Sequence, residues 1–370
     1  MTVPELIADS APFAAACAGF DGVAELALDT EFLRERTYLA ELALVQLAAG
    51  PEPVLLDPLG GADLAPLTRL LTDPRTTKVL HAARQDVEVL LPLTGEPAGP
   101  LKDTQIAAGL LGLAPQIGYA ELIRQVLGIE LAKGGAGGNL ARTDWTRRPL
   151  SAAQLSYAAD DVRHLLQVAA ELAERLRTRG RLDWWAEDCR ALQDPGLYAV
   201  TPEEAWRRLK GVETLPVREQ VRVRALAAWR ETKAREVNLP RSWVLGDDGL
   251  RDLAARPPAT VALLKSRRVF RDETVGRIGE ELLARLAAAE AEPVDGLTEL
   301  ASRRPSGEEQ ALTKRLSDRL KAVAAELDVA PEVLATSRDL KRLARQDLRP
   351  VGPLAGWRQA VIGEALLATL

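Results

Sequence analysis

Cysteine is almost missing from this chain. Two occur in 370 residues, Cys17 and Cys189, far apart and without metal-ligand spacing around either. A disulfide scaffold and a thiolate zinc site are thereby excluded, and both residues read as the reduced cysteines of a cytosolic protein. Long apolar runs are missing as well. No stretch approaches the roughly 20 residues that a membrane-spanning helix needs. Met1 to Ser10 has neither the basic start nor the apolar core of a signal peptide. A soluble, cytoplasmic protein is expected. Nor does the chain carry the positive charge of an obvious nucleic-acid binder, its net charge being −5. That charge is unevenly spread: −9 over residues 1–195, +4 over 196–290 and zero beyond. The acidic part can hold a polyanion only with the help of metal ions or a basic neighbour.

What is present is enough chain for two or three domains, each with its own core. The stretch Ala24-Glu25-Leu26-Ala27-Leu28-Asp29-Thr30-Glu31-Phe32 reads as a buried strand with two acids near its end. Alternation puts Asp29 and Glu31 on one face and Thr30 on the other. Two carboxylates on one face repel each other unless a cation sits between them, and such oxygen ligands suit Mg²⁺ or Mn²⁺. A strand end at which both acids meet water is the alternative. Apolar, turn-punctuated runs at 37–47 and 54–57 continue the strand as a meander. A helix is expected over 64–71, a short strand over 78–81 and a second helix over 82–91, carrying Asp86. His81, at the end of that strand, reads as a hydrogen-bonded structural residue rather than a general base. Two further helices follow over 103–113 and 119–127, the first opened by the capping residue Asp103.

The run Lys133-Gly134-Gly135-Ala136-Gly137-Gly138-Asn139 has too little side chain to pack. It is either a linker or a loop that orders over a ligand, and it lacks the Lys-Ser or Lys-Thr pair of a P-loop. Ser151 and Gln154 then form a capping-box pair that opens a helix expected to run to Gly180. This phase places Tyr157 and Asp161 one turn apart on one face, with Asp160 pointing elsewhere into solvent. The expectation is that Asp29, Glu31, Asp86 and Asp161 converge on one acidic pocket holding two divalent ions, an arrangement able to hydrolyse a phosphodiester. Tyr157, with a phenol pKa near 10, is placed to orient the attacking water rather than to deprotonate it.

Asp29-Thr30-Glu31, His81-Ala82-Ala83-Arg84-Gln85-Asp86 and Tyr157-Ala158-Ala159-Asp160-Asp161-Val162 resemble the three exonuclease motifs of the DEDD family in its tyrosine variant. Asp103-Thr104-Gln105, Arg142-Thr143-Asp144-Trp145 and Arg148-Pro149-Leu150 resemble the ribonuclease D branch of that family. The resemblance covers about the first half and implies an α/β ribonuclease H-like fold, a mixed sheet flanked by helices. By family analogy Asp29 bridges both ions, Glu31 and Asp161 complete the site of the water-activating ion, and Asp86 helps hold the second. The family's terminal-nucleotide contacts fall on Phe32 and Leu33, which plain core packing explains equally well. Gln105 meets a sugar or base edge or else serves its helix start. Lys133, Arg142 and Arg148 either contact phosphates or are solvated or salt-bridged, and the second reading is favoured for Arg148.

A fresh helix start at Thr201-Pro202-Glu203-Glu204 marks a new domain. Ala205-Trp206-Arg207-Arg208-Leu209-Lys210, Ala227-Ala228-Trp229-Arg230 and Asn238-Leu239-Pro240-Arg241-Ser242-Trp243-Val244-Leu245 resemble the HRDC domain, a helical module, and its positive balance suits a nucleic-acid handle. A packing role is the alternative. The expected organisation is thus an exonuclease domain at 1–195, an HRDC domain at 200–288 and a second, degenerate HRDC-like helical domain at 293–370. What the resemblance implies is a monomeric, two-metal 3′-to-5′ exoribonuclease trimming tRNA precursors and other structured RNA 3′ ends to nucleoside 5′-monophosphates. A DNA exonuclease on the same scaffold and a non-catalytic RNA-binding scaffold are the alternatives.

Overall fold

Apolar segments too short to make stable helices line up as a six-stranded sheet, and the amphipathic segments between them cover it. The structure is a computed structural model and describes residues 4–131, 140–199, 201–294, 305–346 and 352–370. In chain order the first part runs β1 (Leu6–Ile7), α1 (Ser10–Ala18), β2 (Glu25–Leu33), β3 (Glu41–Ala48), β4 (Val54–Leu56), α2 (Ala65–Thr72), β5 (Thr77–Leu80), α3 (Arg84–Thr94) and β6 (Leu101–Asp103). Helices α4 (Thr104–Leu110), α5 (Tyr119–Leu127), α6 (Ala152–Arg163), α7 (Leu165–Thr178) and α8 (Leu182–Ala191) follow. The single helix expected from Ser151 to Gly180 is broken at His164, whose φ of −108° and ψ of 3° leave the helical region.

The sheet order is β1-β4-β3-β2-β5-β6, with β3 antiparallel to both of its neighbours and the other pairs parallel. Parallel strand β5 pairs with β2 only at Glu25, Leu26 and Ala27. From Asp29 onward, that edge of β2 is open to whatever the following helix brings. On its other edge β2 stays paired with β3 through a bulge between Glu31 and Phe32. The register sets Asp29 opposite Gln46, Thr30 opposite Val45 and Glu31 opposite Leu44. Leu26, Leu28, Leu44, Leu47, Leu55 and Leu56 have no exposed surface, so the sheet is buried on both faces.

The chain divides into two compact units. One comprises Met1–Leu33, Glu41–Pro195 and Ser306–Leu370; the other comprises Arg34–Ala40 and Gly196–Pro305. The second unit is helical, with α9 (Val217–Glu236), α10 (Arg241–Val244), α11 (Asp247–Ala255), α12 (Val261–Ser266) and α13 (Asp272–Ala291). Trp206, Val221, Leu226, Trp229, Leu250, Leu253, Leu264 and Leu282 form its core. Glu231 is 1% exposed there, and Tyr38 of the 34–40 segment donates its hydroxyl hydrogen to it. Arg241 donates to both Glu231 oxygens at 2.5 and 2.8 Å, and Arg235 to one at 3.2 Å. Burial pushes the Glu231 carboxyl up, but these bonds more than offset it and hold its pKa below the ordinary value.

Helices α14 (Gly307–Leu327), α15 (Pro331–Leu334) and α16 (Ser337–Ala344) and the helical turns of 352–367 pack with the sheet unit. Trp357 stacks on Trp184 of α8 with ring centroids 4.2 Å apart, and its indole N–H donates to Asp188 at 3.0 Å. Arg358 grips Asp188 at 2.6 and 2.8 Å. Arg181 bridges the carbonyls of Leu110 and Leu327. No described helix is long and apolar enough to cross a membrane.

Candidate active site

Three local devices aim the acids. Strand alternation sends Asp29 and Glu31 to the same face of β2. A clamp at the start of α3 sets Asp86: Ala82 takes a left-handed φ of 60°, and the Asp103 carboxylate accepts from the backbone N–H of Ala82 at 3.1 Å and of Ala83 at 2.8 Å. The same carboxylate caps α4 through Gln105 N–H at 2.7 Å and Ile106 N–H at 3.4 Å. One buried acid therefore launches two helices. The third device is the capping box of α6, in which Gln154 N–H donates to Ser151 Oγ and Ser151 N–H to Gln154 Oε1. It fixes the phase that turns Tyr157 and Asp161 toward the sheet. Arg148 fastens the loop before α6 with 2.6 Å bonds to each oxygen of Asp57 and further bonds to the carbonyls of Ala43 and Trp145.

The four carboxyls feel one another. Asp29 is held well above the usual carboxylate range by burial and then by Asp86, Asp161 and Glu31. Glu31 is pushed up to about 9 by burial, Asp161 and Asp86. Asp161 is raised to about 8 by burial, Asp160 and Asp86. Asp86 is raised to about 7 by burial, although it accepts a 2.6 Å bond from the Thr30 hydroxyl. No basic side chain figures among the leading influences on any of the four. The Tyr157 phenol is raised by burial and by Asp161, Glu31 and Asp29, so it keeps its proton at neutral pH. Its ring lies 6.1 Å from that of Trp145.

Four acids, one buried and three half-buried, with no basic side chain among their leading influences, form a donor set that fits a hard divalent ion. Among the described residues, no three His, Cys, Asp or Glu side chains are drawn close enough to cage one as they stand. Asp86 is instead turned onto Thr30, and mutual repulsion opposes further approach.

Phe32 and Leu33 close β2 beyond the bulge, half-buried. Arg142 is exposed in a 3₁₀ turn at Leu140–Arg142, while Lys133 lies outside the described residues. Gln105 uses its side-chain amide to reach the Ile117 carbonyl at 3.0 Å. His81 bonds the same carbonyl and the Thr104 hydroxyl, each at 2.9 Å, which makes it a structural brace. Asp160 is half-buried and paired with Arg163 at 3.1 Å, not solvated, because the turn after β3 closes over it: Arg163 also donates to the Pro51 carbonyl. Two residues were missed from sequence. Thr30, placed by parity on the far face from Asp29 and Glu31, donates to Asp86 of α3 at 2.6 Å across 56 positions of chain. Tyr119 is half-buried and feels the Asp161 charge, which with burial raises its phenol, and its position at the start of α5 gave no signal of that.

A 3′-5′ exonuclease family model matches residues 4–177, and an HRDC domain model matches residues 219–286. Ribonuclease D of Gluconacetobacter diazotrophicus is 44% identical over 350 residues, covering 93% of this chain and 86% of that protein. The chain belongs to the ribonuclease D family. Ribonuclease D of Granulibacter bethesdensis is 40% identical over 369 residues, covering 99% and 92% of the two chains. Among solved structures, Escherichia coli RNase D, described as an exoribonuclease involved in structured RNA processing, superposes with a TM-score of 0.88. It is 33% identical over 100% of this chain and 99% of that one. The mixed sheet flanked by helices, followed by a helical HRDC region, is thus the ribonuclease D architecture.

Proposed function

We propose that this member of the ribonuclease D family is a metal-dependent 3′-to-5′ exoribonuclease whose site is Asp29, Glu31, Asp86, Asp161 and Tyr157. What supports it is the gathering of four carboxyls near enough that Asp86 and Asp161 raise Asp29 and Glu31, and Asp86 raises Asp161, with no basic side chain among the leading influences on any of them. Asp29, Glu31, Asp86 and Asp161 would hold two divalent ions, Mg²⁺ or Mn²⁺. When bound, these supply Lewis acidity at the attacking and leaving oxygens of the phosphodiester. The protonated Tyr157 hydroxyl, one helical turn from Asp161, orients the attacking water. Phe32 and Leu33 offer an apolar surface for the 3′-terminal base, and Arg142 and Lys133 take backbone phosphates, with a smaller contact assigned to Gln105. The HRDC domain at 200–288, with its positive balance, serves as a nucleic-acid handle, and 293–370 is a second, degenerate HRDC-like domain.

The substrates are tRNA precursors and other structured RNA 3′ ends, in the cytoplasm, with the enzyme acting as a monomer. A time course on a 3′-extended tRNA precursor, with and without Mg²⁺ or Mn²⁺, tests this. Stepwise shortening from the 3′ end with release of 5′-monophosphates is expected only with metal. Faster removal of nucleotides from a matched DNA would replace RNA by DNA as the substrate. Tight binding that survives chelator without nucleotide release would make the protein a scaffold.

A further inference from the structure

Gln46 has no exposed surface, and neither its side-chain carbonyl oxygen nor its amide nitrogen has a hydrogen-bond partner. Buried polar groups are almost always paired, so a side chain with both ends unmet calls for something to pair with. Its place in the sheet says what. Gln46 lies directly opposite Asp29 on one side and Leu55 on the other. Directly opposed residues of antiparallel strands project from the same face, with Cβ atoms about 4.5 to 5.5 Å apart. Leu44, Leu55, Trp145, Leu150 and Ala158 make most of this layer apolar, with Tyr157 packed against them. Glu31, opposite Leu44, shares the face but stands diagonally to Gln46, so Asp29 is the carboxylate that the register sets directly opposite it.

The two side chains do not bond in this structure; we infer that Gln46 is a positioning residue for the proposed metal ligand Asp29, its side-chain amide N–H donating to an Asp29 carboxylate oxygen when a cation binds and fixing that carboxylate's rotamer. The inference rests on the reading of Asp29 given above. An amide suits the task because it is a neutral donor: it orients the carboxylate without competing for the site as a lysine or arginine would. The carboxylate has lone pairs to spare, since an oxygen that ligates an ion still accepts a hydrogen bond. In the same layer the indole N–H of Trp145 is buried and unpartnered too, a donor of the kind the Gln46 carbonyl lacks.

The test uses the full chain with Gln46→Met, which keeps the volume and removes both polar atoms. Partners that orient metal ligands are worth about 10- to 100-fold in affinity or activity. Calorimetric Mn²⁺ affinity and kcat on RNA are each expected to fall within that range, with KM for RNA unchanged. The melting temperature of the metal-free chain should hold or rise, because an unmet amide has gone. Gln46→Glu, which exchanges the donor for an acceptor, should lose at least as much affinity. Wild-type Mn²⁺ affinity and kcat in Gln46→Met overturn the inference. If that variant does not fold, the wild-type chain decides: the Gln46 side-chain amide resonance should shift on Mg²⁺ addition and stay put in Asp29→Asn. An unmoved resonance in the wild type overturns the proposal. A wild-type chain that neither takes up Mn²⁺ nor releases nucleotides overturns the reading of the site itself, a separate outcome.

Discussion

Glu231 in the helical unit and the four acids proposed as metal ligands are carboxylates that this molecule treats in opposite ways. Glu231 in the helical unit is surrounded by Tyr38, Arg235 and Arg241 and ionises more easily than a free glutamate. Asp29, Glu31, Asp86 and Asp161 are left with one another and ionise with difficulty. Burial acts in the same direction in both. The difference lies in whether the protein supplies its own positive charge. A satisfied acid holds a fold together, whereas a set of acids the fold declines to satisfy keeps a place for charge that arrives from outside.

Asp29→Asn should break this contrast most completely, abolishing nucleotide release while RNA binding, measured by mobility shift, stays largely intact. Tyr157→Phe keeps the ring against Trp145 and removes the hydroxyl; kcat is expected to drop about 10²-fold, with KM and Mn²⁺ affinity unchanged in steady-state kinetics and calorimetry. At the other pole, Glu231→Leu leaves two arginines and a phenol without their acceptor. It should cost about 2 to 3 kcal/mol, less than a fully buried pair because the arginines are about a third exposed. Denaturant titration reads that loss, and Mn²⁺ affinity should not move. Asp103→Ala removes the cap of α4, at about 1 kcal/mol, and with it the bonds that hold the Ala82–Ala83 turn before α3. It joins the two kinds of site, since a lower unfolding midpoint should come with weaker Mn²⁺ binding as Asp86 loses its launch.

The smallest effect is on pH. Glu31, Asp161 and Asp86 have folded pKa values of about 9, 8 and 7, above the values near 4 that they have unfolded. The folded metal-free chain thus holds protons that the unfolded chain has released. The resulting stabilisation is full below about pH 4 and is lost as pH rises through 7 to 9. Melting temperatures of chelator-treated protein should fall over that range, and saturating Mg²⁺ should flatten the slope. A flat metal-free profile would erase the distinction between the two sites.

What could be read in the sequence was what short-range rules govern. Period-two alternation paired Asp29 with Glu31, and the capping box phased Tyr157 and Asp161 one turn apart. What escaped depends on where strands stop and which distant segments meet. Thr30 bonds Asp86 across 56 positions of chain. Asp103 was legible as a cap of its own helix, but its hold on the Ala82 turn joins residues about twenty apart in the chain. The pairing of Arg148 with Asp57 spans 91 positions, and the role of Gln46 needs a register that no local pattern states. The second half was read in sequence order, whereas the contacts assign Ser306–Leu370 to the sheet unit and Arg34–Ala40 to the helical one.

That last assignment bears on how the protein is made. Trp357 and Arg358, a dozen residues from the C-terminus, seat on Trp184 and Asp188 beside the nuclease sheet. The sheet unit is therefore discontinuous in sequence, and it closes only after the helical unit between its pieces has been made. A chain that stopped before Ser306 would carry the proposed site residues and still lack part of the unit that packs around them.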